Sequence, residues 1–192
     1  LWVGTNTNGL ARLAAGRLRK KDSTVPEIIE ATSATELGEV RGLIRAFVAW
    51  HRATHANRIE LIDRYFDAAE FEAELAGLPG KYAPPKGALL LATVDGVAAG
   101  CVAMRDLGEG NCEMKRMFVP GPYRGRGVGH ALAKCVIDAA REAGYQRMRL
   151  DTSRDQIDAI DLYERLGFVR IVPYHPLPND LRQWLVFYEK TL

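Results

Sequence analysis

The sequence predicts a mixed α/β fold, in which a central, mostly antiparallel sheet is flanked by helices. Three observations predict it. Short apolar runs joined by turn signals in the first half are typical of an antiparallel meander. Beyond Gly127 the apolar residues recur at helical spacing, which indicates crossover helices behind the sheet. With 192 residues, 47% of them hydrophobic, the chain is long enough to bury one core. We therefore expect a single domain.

The first elements are predicted to be a strand and two helices. Residues 27–32 (EIIEAT) are typical of a short strand. Ser33 and Glu36 have the spacing of a capping box, and an apolar stripe at helical spacing follows them. A second helix is predicted over about residues 58–75, because a glycine and a proline then stop it.

Three strands are predicted next. Residues 88–94 are a continuous apolar run, Asp95 and Gly96 are a strong hairpin signal, and residues 97–104 form the return strand. Residues 111–119 (NCEMKRMFV) form a third strand of mixed polarity.

The last third of the chain is predicted to alternate between helices and strands. An amphipathic helix starts after Gly127, a strand ends at Asp151, and another helix carries Tyr163. Residues 168–172 and 183–192 are predicted to be the final strands, joined by a proline-rich loop.

Composition excludes several function classes. The formal charge is +2, from 26 basic and 24 acidic residues, so nucleic acid is not an expected partner. The three cysteines are an odd number without a CxxC pair, which is typical of reduced intracellular thiols. No apolar run approaches the ~20 residues that a membrane span needs. We expect a cytoplasmic protein that does not bind membranes.

Residues 1–24 form a separate basic segment that has no acid before Asp22. We expect a basic tail, either flexible or introduced by cloning, outside a domain of residues 25–192. A targeting segment is the alternative. The basic residues are Arg12, Arg17, Arg19, Lys20 and Lys21.

The strongest local signal is the segment of residues 123–129 (YRGRGVG), between a predicted strand and an amphipathic helix. Its glycines permit unusual φ values and a close approach of ligand to backbone. The free N–H groups of the helix start, together with Arg124 and Arg126, favour a phosphate or pyrophosphate. The alternative is a glycine turn that only packs tightly.

Two other phosphate sites do not fit this segment. A P-loop needs Gly-Lys-Ser/Thr, whereas Gly129 is followed by His130 and Ala131. A dinucleotide site needs Gly-x-Gly-x-x-Gly within a parallel sheet, whereas the spacing here is Gly-x-Gly-x-Gly after an antiparallel meander.

The motifs resemble those of the GCN5-related N-acetyltransferase (GNAT) superfamily. Arg124-x-x-Gly127-x-Gly129 is similar to its Q/R-x-x-G-x-G/A signature, and residues 159–168 (AIDLYERLGF) resemble its A-x-x-x-Y-x-x-x-G-F segment. Residues 113–119 resemble the strand before the signature. The resemblance covers about residues 25–192 and implies the GNAT acyl-CoA N-acyltransferase fold.

The resemblance implies acetyl-CoA as co-substrate. The implied cofactor residues hold the pyrophosphate through the glycine turn and pair with the pantetheine arm through the preceding strand. Gln156 replaces the asparagine that the family commonly has seven residues before its tyrosine. The residues are Met117, Phe118, Val119, Arg124, Gly125, Arg126, Gly127, Val128, Gly129 and Gln156.

The resemblance also implies direct attack of an amine on the thioester. Tyr163 matches the tyrosine that protonates the departing thiolate. Glu113 lies 11 residues before Arg124, the offset of a catalytic glutamate, and is the candidate base. The alternative for Glu113 is a strand residue paired with Lys115 or Arg116.

Five aromatic residues are candidates for contact with the acceptor. The first two helices usually line that site in the family, which points to three of them, and the other two lie in the loop before the last strand. Surface or core packing is the alternative for all five. A metal is not expected: Arg52 stands where a zinc-protease motif needs glutamate, and no third ligand is evident. The candidates are Trp50, His51, His55, Tyr174 and His175.

Together these features predict an N-acetyltransferase that acts on a primary amine of a small molecule or peptide. A non-catalytic acyl-CoA sensor on the same fold is the alternative. We expect a monomer or a homodimer.

Overall fold

The computed structural model describes residues 25–192, and the basic tail predicted for residues 1–24 lies outside them. The described residues form a seven-stranded sheet with helices on both faces, so the predicted fold class is confirmed. The strands are β1 (Glu27–Glu30), β2 (Ala88–Val94), β3 (Val97–Gly108), β4 (Asn111–Phe118), β5 (Arg147–Ser153), β6 (Val169–Ile171) and β7 (Leu185–Thr191). The helices are α1 (Ala34–Thr54), α2 (Ile59–Tyr65), α3 (Ala68–Ala76), α4 (Val128–Glu142), α5 (Ile157–Arg165) and α6 (Asn179–Trp184).

The sheet has the order β1-β2-β3-β4-β5-β7-β6. Only β4 and β5 are parallel among the described strands, and they pair only from Asn111 to Glu113 opposite Arg147 to Arg149. Beyond these residues the two strands separate. A gap therefore opens between them near the middle of the sheet, where neither strand pairs with the other.

Local sequence signals explain most of the observed boundaries. The Ser33 hydroxyl accepts from the Glu36 amide at 3.2 Å, and the Glu36 carboxylate accepts from the Ser33 amide at 2.8 Å. The predicted capping box is therefore confirmed at the start of α1. Asp95 and Gly96 have φ values of 54° and 77°, as a two-residue hairpin turn requires.

The predicted helix over residues 58–75 is wrong as one element. It is divided into α2 and α3 because the Asp67 side chain accepts from the amides of Ala69 and Glu70, which starts a new helix. The short helix α6 was not predicted, and it moves the start of the last strand from residue 183 to Leu185.

Two apolar layers enclose the sheet. On one face α4 buries six residues against β2, β3 and β4, and on the other face α1 packs against β2 and β3. A third apolar cluster joins α2 to α6 and β7 at one end of the gap. Gly100 permits the approach of α4, because a Cβ there would lie 2.9 Å from Leu132 and from the Phe118 carbonyl.

Candidate active site

A groove of about 700 Å³ runs along the N-terminal end of α4. The end of β4 and the glycine turn form one wall, and α5 forms another. The C-terminal part of α1 contributes Trp50, and its C-cap residue is His55, which also lines the groove. We call this the large groove. Of the ten residues that the sequence assigned to the cofactor, all but Arg126 line it. The guanidinium of Arg126 instead lies 5.7 Å from the ring centre of Tyr123.

The glycine turn has the backbone conformation of an anion site. Gly125 and Gly127 have φ values of 71° and 80°, a region that L side chains rarely adopt. Gly127 precedes α4 directly, and no side chain of the described residues caps that helix. The first amides of α4 thus keep their N–H groups available, and the helix dipole adds a partial positive charge.

Arg124 fixes this turn to α1. Its Nε donates to the Val119 carbonyl at 2.9 Å, and its guanidinium lies 4.4 Å from the ring centre of Trp50. Stacking of this kind contributes about 0.5–2 kcal/mol. Trp50 therefore supports the turn and shapes the rim of the large groove.

Tyr163 lies where the large groove meets a second, smaller cavity, and it lines both. The side chain is buried, and its hydroxyl lies 3.7 Å from the sulfur of Met117 on β4. Burial and the nearby charge of Asp151 raise the pKa of Tyr163 above its usual value. The phenol is therefore protonated at neutral pH and can act as a proton donor.

The second cavity, which we call the small cavity, has a volume of about 50 Å³ and lies in the gap between β4 and β5. It is continuous with the large groove through residues that line both, including Met117 and Gln156. Aromatic side chains of α1 and α2, with Trp184, cover it. A reacting group bound in either cavity can therefore reach Tyr163.

His51 and Gln156 meet at the boundary between the cavities. Their Nε2 atoms lie 2.7 Å apart, although the residues are 105 positions apart in sequence. Burial, and then the neighbouring His55, lower the pKa of His51 to about 4, so the ring is neutral at pH 7. Among the described residues, neither Nδ1 of His51 nor Oγ of Ser153 has a hydrogen-bond partner.

A network of buried charges closes the other end of the gap. The Lys115 ammonium lies 3.2 Å from Asp151 and 3.6 Å from Glu113. Tyr65 donates to Asp151, and Arg105 binds Glu113 at 2.5 Å. Burial alone would lower the pKa of Lys115, but the acidic partners raise it above its usual value, so the ammonium is retained.

The predicted substrate residues Tyr174 and His175 belong to this network. The Tyr174 hydroxyl donates to Glu113 at 2.6 Å, and Nε2 of His175 lies 3.5 Å from Asp151. Glu113, Asp151 and His175 bring ligand-type atoms within 4.8 Å of one another. The Lys115 ammonium pairs with both carboxylates and so already supplies a positive charge to this group of three residues.

A bulge in β4 sets the direction of the strand beside the cavities. The register with β3 shifts between Cys101 and Ala103, and Arg116 has a φ of 55°. Arg116 is held by two hydrogen bonds to Glu74, at 2.6 Å and 3.1 Å. This ion pair therefore fixes the backbone that leads into Met117 and Phe118.

The structure distributes the sequence-predicted site residues over three places. His51 reaches the small cavity, Trp50 and His55 reach the large groove, and Tyr174 and His175 lie in the charge network. Glu113 is fully buried and is absent from the described lining of both cavities.

Three residues of the site were not recognised from sequence, and Lys115 was expected only as an alternative partner of Glu113. Lys115 and Asp151 are paired across the gap, Ser153 lines the small cavity, and Glu74 supports the bulge. The one available signal was charge within a strand of buried residues, which points to buried pairing but does not identify the partners.

Comparison with known proteins identifies a family and several relatives that match part of this chain. The sequence profile of the acetyltransferase (GNAT) family matches residues 50–168. An uncharacterized N-acetyltransferase of Schizosaccharomyces pombe is 42% identical over 110 residues, which cover 55% of this chain and 68% of that protein. The chain spans only 32% and 52% of two further curated relatives.

Solved structures agree with the observed fold. A crystal structure of a candidate acyl-CoA N-acyltransferase from Klebsiella pneumoniae has a TM-score of 0.64 and 28% identity, covering 88% of this chain and 99% of that one. The PaiA N-acetyltransferase of Thermoplasma acidophilum, solved with coenzyme A, has a TM-score of 0.65 at 16% identity, over 88% and 99% of the two chains. Among residues 25–192, no helix is long and apolar enough to cross a membrane.

Proposed function

Because the chain belongs to the acetyltransferase (GNAT) family, we propose that it transfers the acetyl group of acetyl-CoA directly to a primary amine. The observation that carries the proposal is the position of Tyr163, a buried and protonated phenol at the junction of the two cavities. One cavity has the size for an extended cofactor, and the other has room only for a small group.

The large groove is the proposed site of coenzyme A. The free amides after Gly127 would bind the pyrophosphate, as expected at a helix N-terminus, and Arg124, which lines the groove, would add positive charge. The main chain of Met117, Phe118 and Val119 would pair with the pantetheine arm beside the gap. An amide of this segment would also stabilise the oxyanion that forms on attack.

In the proposed reaction the amine nitrogen forms a bond with the thioester carbon, and the carbon–sulfur bond breaks. The thiolate takes a proton from the Tyr163 hydroxyl, and the proton lost by the nitrogen restores the phenol. Proton transfer from a phenol to a thiolate is uphill by about 1.5 pKa units, or about 2 kcal/mol, at the reference pKa values. Tyr163 is therefore a moderate rather than a dominant contributor.

An alkylamine that arrives as its ammonium must lose one proton before it can attack, and Glu113 is the proposed acceptor of that first proton, acting through a relay. Its carboxylate is fully buried and bound by Arg105 and Tyr174, so a proton from the amine must pass along the charge network. Replacement of Glu113 with Gln should lower kcat about a hundredfold while binding of acetyl-CoA is retained. A kcat equal to that of the parent in the folded variant would reject Glu113 as the base.

Two measurements test the function. A thermal melt with acetyl-CoA, coenzyme A and NADH in parallel should show a shift with the first two only, because a ligand at 100 times its Kd adds about 2.7 kcal/mol. Release of free thiol from acetyl-CoA in the presence of amines then separates an enzyme from a sensor. Binding of acetyl-CoA without thiol release over a broad panel of amines would support the sensor and reject the transferase.

A further inference from the structure

We propose that the small cavity is the acceptor site, that Ser153 and His51 bind the acceptor there, and that the acceptor is an unbranched alkylamine, R–CH₂–NH₂, with no charge beside the amine. The inference rests on the proposed acetyl transfer and names the substrate class of that site. Its four supports are the location, the unpaired polar atoms, the charge and the shape of the cavity.

The small cavity and the large groove share part of their walls, which places an acceptor in the cavity beside a thioester in the groove. Met117, Tyr163 and Gln156 line both the small cavity and the large groove. A thioester in the groove, beside Tyr163, would thus face a nitrogen in the small cavity. The gap between β4 and β5 joins the two spaces, since the strands stop pairing after Glu113 and Arg149.

Two buried polar atoms, on residues that line the cavity, have no hydrogen-bond partner among the described residues. Ser153 and His51 are each 2% exposed, and Oγ of Ser153 and Nδ1 of His51 are unpaired among the described residues. An unpaired buried polar atom is costly, which favours a role in binding. An acyl tail would need neither atom, whereas an amine can form a hydrogen bond with both.

The charges of the cavity are already balanced. Its described lining includes two cations, of which Lys115 is paired with Asp151 and Glu113, and Arg116 is paired with Glu74. The His51 ring is neutral. A carboxylate next to the acceptor nitrogen would be buried without a cation of its own, and this desolvation is strongly unfavourable. A bound ammonium would likewise find no unpaired carboxylate in the described lining, because Asp151 is already paired with Lys115, and so burial favours the reactive free amine.

The shape of the cavity favours a narrow acceptor. A volume of about 50 Å³ holds only a few heavy atoms, since a single water needs roughly 10–15 Å³ of such space. Phe47, Phe66 and Trp184 provide flat apolar walls. A nitrogen with one or two methylene groups fits this space, and a substituent on the carbon next to the nitrogen does not.

Three matched amines separate the effect of a nearby charge on kcat/KM from the effect of branching. Thiol release would be measured with n-pentylamine, with 2-aminohexane, which adds a methyl group, and with norleucine, which adds a carboxylate at the same carbon. At equal free-amine concentration, kcat/KM for n-pentylamine should exceed that for norleucine by about a hundredfold or more, with 2-aminohexane between them. Equal or better use of norleucine overturns the proposed acceptor class while leaving acetyl transfer intact.

Two sources of this amine are distinguished in the same assay. The acceptor can be a free alkylamine, tested with 1,5-diaminopentane, or a lysine side chain, tested with Nα-acetyl-lysine amide. The source is the one with the higher kcat/KM. If no amine releases thiol although acetyl-CoA still shifts the melt, the transferase proposal fails and the acceptor class fails with it.

A pair of serine variants tests the site itself. Ser153→Ala removes an unpaired hydroxyl, so the melting temperature of the free protein should be unchanged or higher, while KM for n-pentylamine rises about three- to tenfold. Ser33→Ala is the control: it removes a helix cap far from the cavity, so it should lower the melting temperature and leave that KM unchanged. An unchanged KM in Ser153→Ala overturns the site.

Discussion

The ion pair between Glu74 and Arg116 is expected to hold the β4 bulge in place. Arg116 has a left-handed φ of 55°, which costs a non-glycine residue about 1–2 kcal/mol. Its guanidinium makes two hydrogen bonds to Glu74, and the two side chains are only 12% and 10% exposed. Glu74→Gln leaves a nearly buried cation without its counter-ion, a loss of about 3 kcal/mol.

The expected loss is measurable in a chain of this size. A destabilisation of about 3 kcal/mol corresponds to a melting temperature lower by about 6–12 °C. Acetyl-CoA binding should also weaken, because relaxation of Arg116 turns the peptide that leads into Met117. Calorimetric titration with acetyl-CoA measures this second effect on folded protein below the melting transition.

A second substitution isolates the cause. Glycine adopts a left-handed φ without strain, so Arg116→Gly keeps the bulge and removes the cation that Glu74 balances. The double variant Glu74→Gln/Arg116→Gly should lose about 2 kcal/mol less than the sum of the two single losses, and it should bind acetyl-CoA better than Glu74→Gln alone. Additive losses, or a Glu74→Gln melt equal to that of the parent, would refute this account of the bulge.

Three further predictions follow from individual groups. Tyr163→Phe should lower kcat about a hundredfold with acetyl-CoA affinity retained, and an unchanged kcat would exclude the proton-donor role. Gly127→Ala should lower the melting temperature by about 2–8 °C, because the φ of Gly127 is 80°. Gly129→Ala is the control: a Cβ there would lie 3.6 Å or more from its neighbours, so this variant should melt no lower than the parent. Burial alone would raise the pKa of Glu74, but the bonds and charges of Arg116 and Lys81 lower it from 4.5 to about 2. Between these two pH values the unfolded chain therefore binds more protons at this group than the folded protein does, so the stability that Glu74 contributes is lost as pH falls from about 4.5 to about 2. Urea titrations should show that the free energy of unfolding depends less on pH in Glu74→Gln than in the parent. Parallel pH profiles of the two proteins would contradict this.

The elements that the sequence predicted well are those whose signals are local. The capping box at Ser33, the hairpin turn at Asp95 and Gly96, and the helix after Gly127 each depend on residues within a few positions of one another. The break before α3 was also local in origin: Asp67 and Glu70 have the spacing of a helix start, but the apolar periodicity on both sides concealed it.

The residues that were missed depend on contacts between distant parts of the chain. Arg116 and Glu74 are 42 positions apart, and Lys115 and Asp151 are 36 apart. Nothing in the periodicity of either segment identifies such partners, since a charged residue in a strand is compatible with exposure, pairing or catalysis. The helix α6 was missed for another reason: it has six residues, and no side chain caps its start.

The two cavities have a common structural origin. A parallel pair of strands normally continues its hydrogen bonds, but β4 stops pairing with β5 after Glu113 and bulges against β3 at Arg116. Beyond this separation Met117 lines both cavities. At the end of the gap that the charge network closes, the ion pair of Lys115 and Asp151 joins β4 to β5 where backbone hydrogen bonds are missing. The charge network therefore stabilises the sheet where it divides and limits the depth of the small cavity, which restricts what can reach Tyr163.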